Sequence, residues 1–229
     1  MRVLRQAQTS LDQLVASGSI AAEVEPLLRA IVERHASFLV IGGTGAGKTT
    51  LLSAMLGTVP DSERILVIED TAELAPLHPH VVTLVARRAN AEGRGEITMA
   101  RLLQQSLRMR PDRIVVGEIR GAEVVDLLAA LNTGHDGGAG TLHANSVWEV
   151  PARMEALAGL GGLDRDALHS QLAAAVHVVL AMERRPEGRC LAHIGLLEGN
   201  PVVPELIWSI DTGKGPGYGD FAERLGVAP

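Results

Sequence analysis

Scarcity marks this chain before any motif does. A single cysteine, Cys190, stands among 229 residues; it excludes a disulfide framework and a cysteine metal cluster, and a reducing compartment is expected. Aromatic residues make up only 2% of the chain. The core must therefore be built from Leu, Val, Ile and Ala, and the interleaved aromatics on which nucleic-acid bases stack are missing. Lys48 and Lys214 are the only lysines, every other basic side chain being arginine. No apolar run approaches the ~20 residues of a spanning helix, since the longest, Leu172 to Met182, falls well short. No secretory h-region opens the sequence. Membrane association is thus expected only through partners. The net charge of −6 and pI near 5.7 run against a surface built to grip polyanions.

Hydrophobic residues make up 46% of the sequence, and a chain of this size can bury roughly 70 to 75% of its unfolded surface in one large domain. The most informative stretch is FLVIGGTGAGKTT, Phe38 to Thr50. An apolar run reads as a buried parallel strand, glycines follow, and Lys-Thr-Thr opens a helix. Gly42 to Thr49 fits G-x-x-x-x-G-K-[ST] in the strand-to-helix setting that a phosphate-binding loop needs. Residues without Cβ let the backbone curl its N–H groups around an anion, and the helix directs its positive dipole end at the same point. The nucleotide-binding set is Gly43, Thr44, Gly45, Ala46, Gly47, Lys48, Thr49 and Thr50. Lys48 would reach the β and γ phosphates, and the Thr49 hydroxyl would ligate Mg²⁺. An accidental match has odds of roughly one in a hundred at average residue usage. A lysine in a chain otherwise committed to arginine further suggests that a compact ammonium is required.

Along the chain, Ser10 or Thr9 caps a short helix over Leu11–Ala16, and Ser19 caps the next, whose apolar stripe runs from Ile20 to Val32. Both are expected on the edge of the sheet. Helices are predicted over 48–57, 98–109 and 123–132, and strands over 64–68, 81–85, 113–116 and around 141–143. That alternation is the signature of a doubly wound, mostly parallel α/β sheet. Beyond Ser146, helical pieces over 150–157 and 165–174 lead to strands over 176–181 and 191–197, joined by Arg185-Pro186-Glu187-Gly188 as a hairpin. The organisation expected is a linker over 1–9, a domain over 10–200, and an extended, glycine-rich tail over 201–229.

A phosphate loop alone implies only nucleotide binding; hydrolysis also needs a carboxylate acting on water and a polar sensor of the γ-phosphate. Three stretches offer these. In ILVIEDTAEL, Glu69 and Asp70 sit at the carboxyl end of a strand, the edge where open parallel sheets bind ligands. In RMRPDRIVVGEIRG, Glu118 ends another strand and Arg120 follows. In TGHDGGAGTLHANS, glycines frame His135, Thr141, His143 and Asn145. A lone glutamate at a strand end is more often a solvated or capping group, but two at the edge that carries a phosphate loop favour catalysis. His135 reads as structural. His143 gains a case from ending a strand beside the acids. Arg87, Arg88, Arg94, Arg108, Arg110, Arg113 and Arg120 are either solubilising charge or include a finger for a neighbouring subunit. No H-x₃-H or cysteine pairing appears, so Mg²⁺ is the only metal inferred.

Together the four stretches resemble the secretion traffic ATPases of type II and type IV systems, most closely the CpaF/TadA branch that powers assembly of Flp-type (tight-adherence) pili. GGTGAGKTT resembles its Walker A motif, VIEDTAEL its Asp box, and LRMRPDRIVVGEIRGAEVVDLLAALNTGHDGGAGTLHANS its Walker B and His box. The likeness runs from about Leu11 to Leu197. It implies a RecA-like P-loop NTPase that hydrolyses ATP with Mg²⁺, working as a hexameric ring on the cytoplasmic face of the inner membrane with platform proteins as partners. By resemblance Glu118 is the general base, Glu69 acts near the metal, in part through water, and His143 senses the γ-phosphate. Gly117 stands where the usual Walker B aspartate would. The family's N-terminal domain is missing from this chain, for which 1–9 reads as a remnant, so a monomer is expected at this length and a hexamer at full length. A RecA-like nucleic-acid translocase is the alternative, disfavoured by the acidic balance and the few lysines; a non-hydrolysing scaffold is disfavoured by the two glutamates.

Overall fold

The computed structural model describes residues 9–228. The linker expected over 1–9 lies outside the described residues except for Thr9. Helix α1 (Leu11–Ala16) is closed by a reciprocal capping box between Ser10 and Gln13, as Ser–x–x–Gln spacing permits. A 3₁₀ turn, Ala22–Val24, leads into α2 (Glu25–Glu33), with Pro26 in the first turn, where a missing N–H leaves nothing unsatisfied. Ser19 does not cap this segment. Its hydroxyl accepts from Ser17 Oγ at 3.1 Å, and its carbonyl accepts the N–H of Leu191 at 2.8 Å. The chain continues through β1 (Phe38–Ile41), α3 (Lys48–Leu56), β2 (Ile65–Glu69), β3 (Val81–Val85), α4 (Met99–Ser106), β4 (Arg113–Ile119), α5 (Glu123–Leu131) and β5 (Ala139–Leu142). It closes with α6 (Val150–Leu160), α7 (Arg165–Ala175), β6 (Val178–Arg185), β7 (Gly188–Glu198), β8 (Val203–Ser209), β9 (Gly213–Lys214) and α8 (Tyr218–Arg224).

The described strands form one 9-stranded sheet in the order β3-β2-β4-β5-β1-β6-β7-β8-β9. From β3 to β6 the neighbours are parallel, and from β6 onward they are antiparallel. The expected α/β class, parallel sheet and C-terminal hairpin are therefore present. β1 lies between β5 and β6, buried on both faces, and its period-2 alternation sends side chains to two cores. Phe38 and Val40 join the layer of α1, α2, α3 and α8. Leu39 and Ile41 join the layer of α5, α6 and α7. So α1 and α2 cover a face of the sheet rather than its edge. The described edges are β3 and β9, and β3 is only partly buried because it has a neighbour on one side.

The tail is not extended. Strand β8 pairs with β7, and α8 folds back so that Trp208, Tyr218 and Phe221 enter the same core as α1 and α2. Trp208 Nε1 donates to Glu23 Oε1 at 2.6 Å, and the Tyr218 hydroxyl reaches the Glu23 carbonyl at 3.4 Å. The glycines reflect close packing: a Cβ on Gly217 would come within 2.6 Å of Glu205 Oε1. Phe221, 6% exposed, supplies a direct test. Phe221→Ala is expected to lower unfolding stability by about 3 kcal/mol in a urea titration; a loss below about 1 kcal/mol would return the tail to a loosely attached segment.

Candidate functional site

The glycine loop after β1 sits at the carboxyl edge of the parallel strands, wedged between two neighbours. Gly42, Gly45 and Gly47 have φ of 142°, 73° and 103°, a region that other residues rarely adopt. On the β5 side the loop opens onto a cleft of about 200 Å³ lined by Thr44, Gly45, Lys48, Thr49, Glu69, Asp70, Thr71, Glu73, Gly117, Glu118, Arg120, Thr141 and His143. Lys48, Glu69, Asp70, Glu118, Arg120 and His143 of the sequence reading are thus brought to one place. Of the remaining loop residues, Gly43 and Thr50 are exposed and Ala46 is buried, while Gly47 packs against the β6–β7 hairpin. His135 is not among the cleft residues.

Lys48, 8% exposed, turns back on its own loop: Nζ donates to the carbonyls of Gly42 at 2.9 Å and Gly43 at 3.1 Å. Burial pushes its pKa below the ordinary lysine value, against the pull of Glu118. Glu69 is 2% exposed. Its Oε1 accepts the backbone N–H groups of Glu73 at 3.0 Å and Leu74 at 2.9 Å, while Oε2 is buried without a hydrogen-bond partner among the described residues. Burial raises the Glu69 pKa, with the Leu74 and Glu73 N–H groups opposing. Glu118 lies inside β4 rather than at its end, where the pairing with β5 shifts register between Val116 and Ile119. Its Oε2 accepts from Arg120 Nη2, and Oε1 lies 3.1 Å from His143 Nε2, although no hydrogen bond forms there. Arg120 also donates to Asp70 Oδ2 at 2.8 Å. His143 directly follows β5, and burial together with nearby Lys48 lowers its pKa.

The glycine at 117 has a physical cause. A Cβ there would come within 2.6 Å of Glu69 Cγ and 2.9 Å of Glu69 Oε1, so the carboxylate of the neighbouring strand occupies the room an acid at 117 would need. The Thr141 hydroxyl donates to the Gly117 carbonyl at 2.6 Å, tying β5 to the same point. Glu73 was missed from the sequence, as was Thr71; the signal for Glu73 was its place four residues beyond Glu69, in the turn that Glu69 Oε1 folds back. Among the arginines, Arg113 is 1% exposed and bound to Glu63 at 2.6 Å, a structural role. Arg120 is paired within its own chain, whereas Arg87, Arg88, Arg94, Arg108 and Arg110 are exposed.

The cleft gathers Glu69, Asp70, Glu73 and Glu118 against Lys48 and Arg120. Among the described residues no three His, Cys, Asp or Glu side chains come together as a metal site; the buried carboxylate oxygens without a hydrogen-bond partner, Glu69 Oε2 and Glu118 Oε1, are the donors that a hard divalent cation such as Mg²⁺, which keeps several waters, would find here. Two expectations follow from this geometry. Gly117→Ala should cost about 1–3 kcal/mol of stability in chemical denaturation through the overpacking against Glu69; a neutral change would remove that explanation. The imidazole of His143 should titrate by NMR with a midpoint below the ordinary value of 6.5. Because its folded pKa is lowered, it stays neutral at pH 7, and its charging opposes folding as pH falls below the unfolded value. A midpoint at or above 6.5 would contradict the burial argument.

Residues 1–191 match the family model described as Type II/IV secretion system protein. A putative conjugal transfer protein of Mycobacterium tuberculosis is 63% identical over 217 residues, covering 93% of this chain and 61% of its own length. Among solved structures, the VirB11 ATPase of the Brucella suis type IV secretion system, in complex with sulphate, is 30% identical with a TM-score of 0.67 over 83% of this chain and 57% of that one. The pilus retraction motor PilT with bound ADP is 29% identical with a TM-score of 0.58, covering 76% and 50%. The chain spans roughly half to three-fifths of the length of these relatives. With the matched region extending through the glycine loop, both acid-bearing strands and the His143 segment, the chain belongs to the type II/IV secretion system protein family.

Proposed function

We propose that this chain binds Mg-ATP in the cleft beside the glycine loop and hydrolyses it, as the RecA-like ATPase part of a motor that drives pilus assembly or protein secretion. The observation that carries the reading is the pairing of opposites on one cleft: a buried ammonium, Lys48, held only by loop carbonyls, and a buried carboxylate oxygen, Glu69 Oε2, with no partner among the described residues. Each is a group for which a charged ligand replaces lost water. Similar structures solved with ADP (PilT) and with sulphate (VirB11) support the reading that this chain binds a phosphate-like anion.

In this reading the loop N–H groups and the α3 N-terminus hold the phosphates, and Lys48 exchanges its carbonyl partners for the β and γ oxygens. The Thr49 hydroxyl and Glu69, the latter through water, would hold Mg²⁺, which when bound would supply positive charge to the phosphates. Glu118 takes the proton from the attacking water. Arg120 keeps that carboxylate oriented through the hydrogen bond it donates to Oε2, and it adds positive charge to the cleft. His143, neutral at pH 7, reports on the γ-phosphate. The motif wording supports placement in the CpaF/TadA branch. That placement brings a hexameric ring, a cytoplasmic position at the inner membrane and platform proteins as partners, with an arginine from the exposed set reaching a neighbour's site. No helix among the described residues is long and apolar enough to cross a membrane, in keeping with attachment through partners.

Measured on the purified protein, Glu118→Gln should retain ATP binding while losing ~10² to 10⁴ in turnover. Lys48→Ala should lose binding itself. Unchanged turnover in Glu118→Gln would reassign the base, and undiminished binding in Lys48→Ala would remove the cleft as the phosphate site.

A further inference from the structure

The side of the glycine loop away from the acidic cleft is built by the β6–β7 hairpin, and it carries chemistry that the proposed function leaves unused. A Cβ on Gly42 would fall 2.3 Å from the Met182 carbonyl oxygen, and one on Gly47 would fall 3.3 Å from both Met182 Cε and Arg189 Cδ. The hairpin therefore touches the loop at both ends of its curl. Between them Arg189 Nε donates to the Gly45 carbonyl at 2.7 Å. This contact spans 144 residues of sequence. The two terminal nitrogens of Arg189 make no hydrogen bond or ion pair among the described residues, and the side chain is exposed. Arg189 also lines a second pocket, of about 240 Å³, with Ser17, Ser19 and Arg185. The guanidinium thus stands between the loop and a cavity on its far side.

An arginine gripping a neutral carbonyl with one N–H leaves most of its rigid donor fork available, and that fork matches phosphate oxygens far better than a carbonyl. Arg185 in the same pocket is already committed, bidentate to Asp211 at 2.7 Å for each bond. Arg189 is the cation of this pocket that remains available. We propose that Arg189 is a nucleotide-binding residue: it braces the loop through Nε and gives Nη1 and Nη2 to the phosphate chain of a nucleoside di- or triphosphate where that chain leaves the loop toward the second pocket. The proposal rests on the reading of the loop as a phosphate site. The terminal phosphate faces the acids on one side, and the rest of the molecule passes Arg189 on the other.

Titration calorimetry with Mg-ADP on the purified protein tests this against a merely structural brace. Arg189→Gln keeps a side-chain donor for the Gly45 carbonyl but carries no charge. It should bind Mg-ADP about tenfold or more weakly, the loss expected for charge-assisted hydrogen bonds, while the thermal midpoint of the ligand-free protein stays near that of the parent. Arg189→Lys, which keeps the charge without the fork, should fall between the two, and raising salt should narrow the gap between parent and Gln variant. Parental affinity in Arg189→Gln would overturn the proposal and leave the loop as a phosphate site. Equal weakening in Gln and Lys variants with a lowered ligand-free midpoint would also overturn it, in favour of the brace. Absence of Mg-ADP binding by the unsubstituted protein would instead fail the reading of the loop, a result separable from either.

Discussion

Burying a carboxylate costs several kcal/mol unless hydrogen bonds or countercharge replace its water, and the architecture of the cleft follows from how Glu69 meets that cost. One oxygen takes two backbone N–H groups from the turn that follows β2, so Glu69 shapes the segment carrying Asp70, Thr71 and Glu73 into the cleft wall. The side chain lies flat against β4, and Gly117 is a glycine because nothing larger fits beneath it. Removing an acid from 117 leaves Glu118, one residue on, as the carboxylate that β4 presents to the cleft. The other oxygen has no hydrogen-bond partner among the described residues. A single buried group thus organises two strands.

The charge balance of the cleft points the same way. Four carboxylates face two permanent cations, and Arg120 divides itself between Asp70 and Glu118. A bare polyanion entering such a site meets net repulsion, whereas an anion accompanied by a divalent cation does not. Lys48 and His143 respond to this field in the same way: burial works against their charged forms and lowers both pKa values, while Glu118 opposes the shift. The histidine is consequently poised as a neutral hydrogen-bonding group, the lysine as a cation whose desolvation is eased by carbonyl oxygens.

The antiparallel half of the sheet is more than an appendage to the parallel half that carries the glycine loop. The first half of β6, Val178 to Ala181, pairs with β1 from Phe38 to Ile41, and its hairpin partner β7 carries Arg189 to the loop. Strands β8 and β9 and helix α8 extend that half, and they are joined to the front of the chain through Glu23, Trp208 and Tyr218. Any rearrangement of the loop therefore presses on a continuous set of packed elements reaching the N-terminal helices.

What the sequence determined by itself is local. The strand, glycine loop and helix of residues 38–56, the period of the α/β elements, the hairpin at Pro186-Glu187 and the acid that ends β2, Glu69, are properties of neighbouring residues: side-chain periodicity, Cβ-free backbone and turn chemistry. Together with the family resemblance, these marked Lys48, Thr49, Glu69, Glu118, Arg120 and His143 as candidates, and the fold brings them to one cleft. The same local reading failed at the tail, where glycine density suggested an extended chain because nothing local reveals that Gly217 lies against Glu205. It also gave no reason for Gly117 and no sign of Arg189. Those were decided only by tertiary structure, because strand order sets β2 against β4 and β6–β7 against the loop, and contacts between residues 48 or 144 positions apart depend on packing that no window of sequence contains.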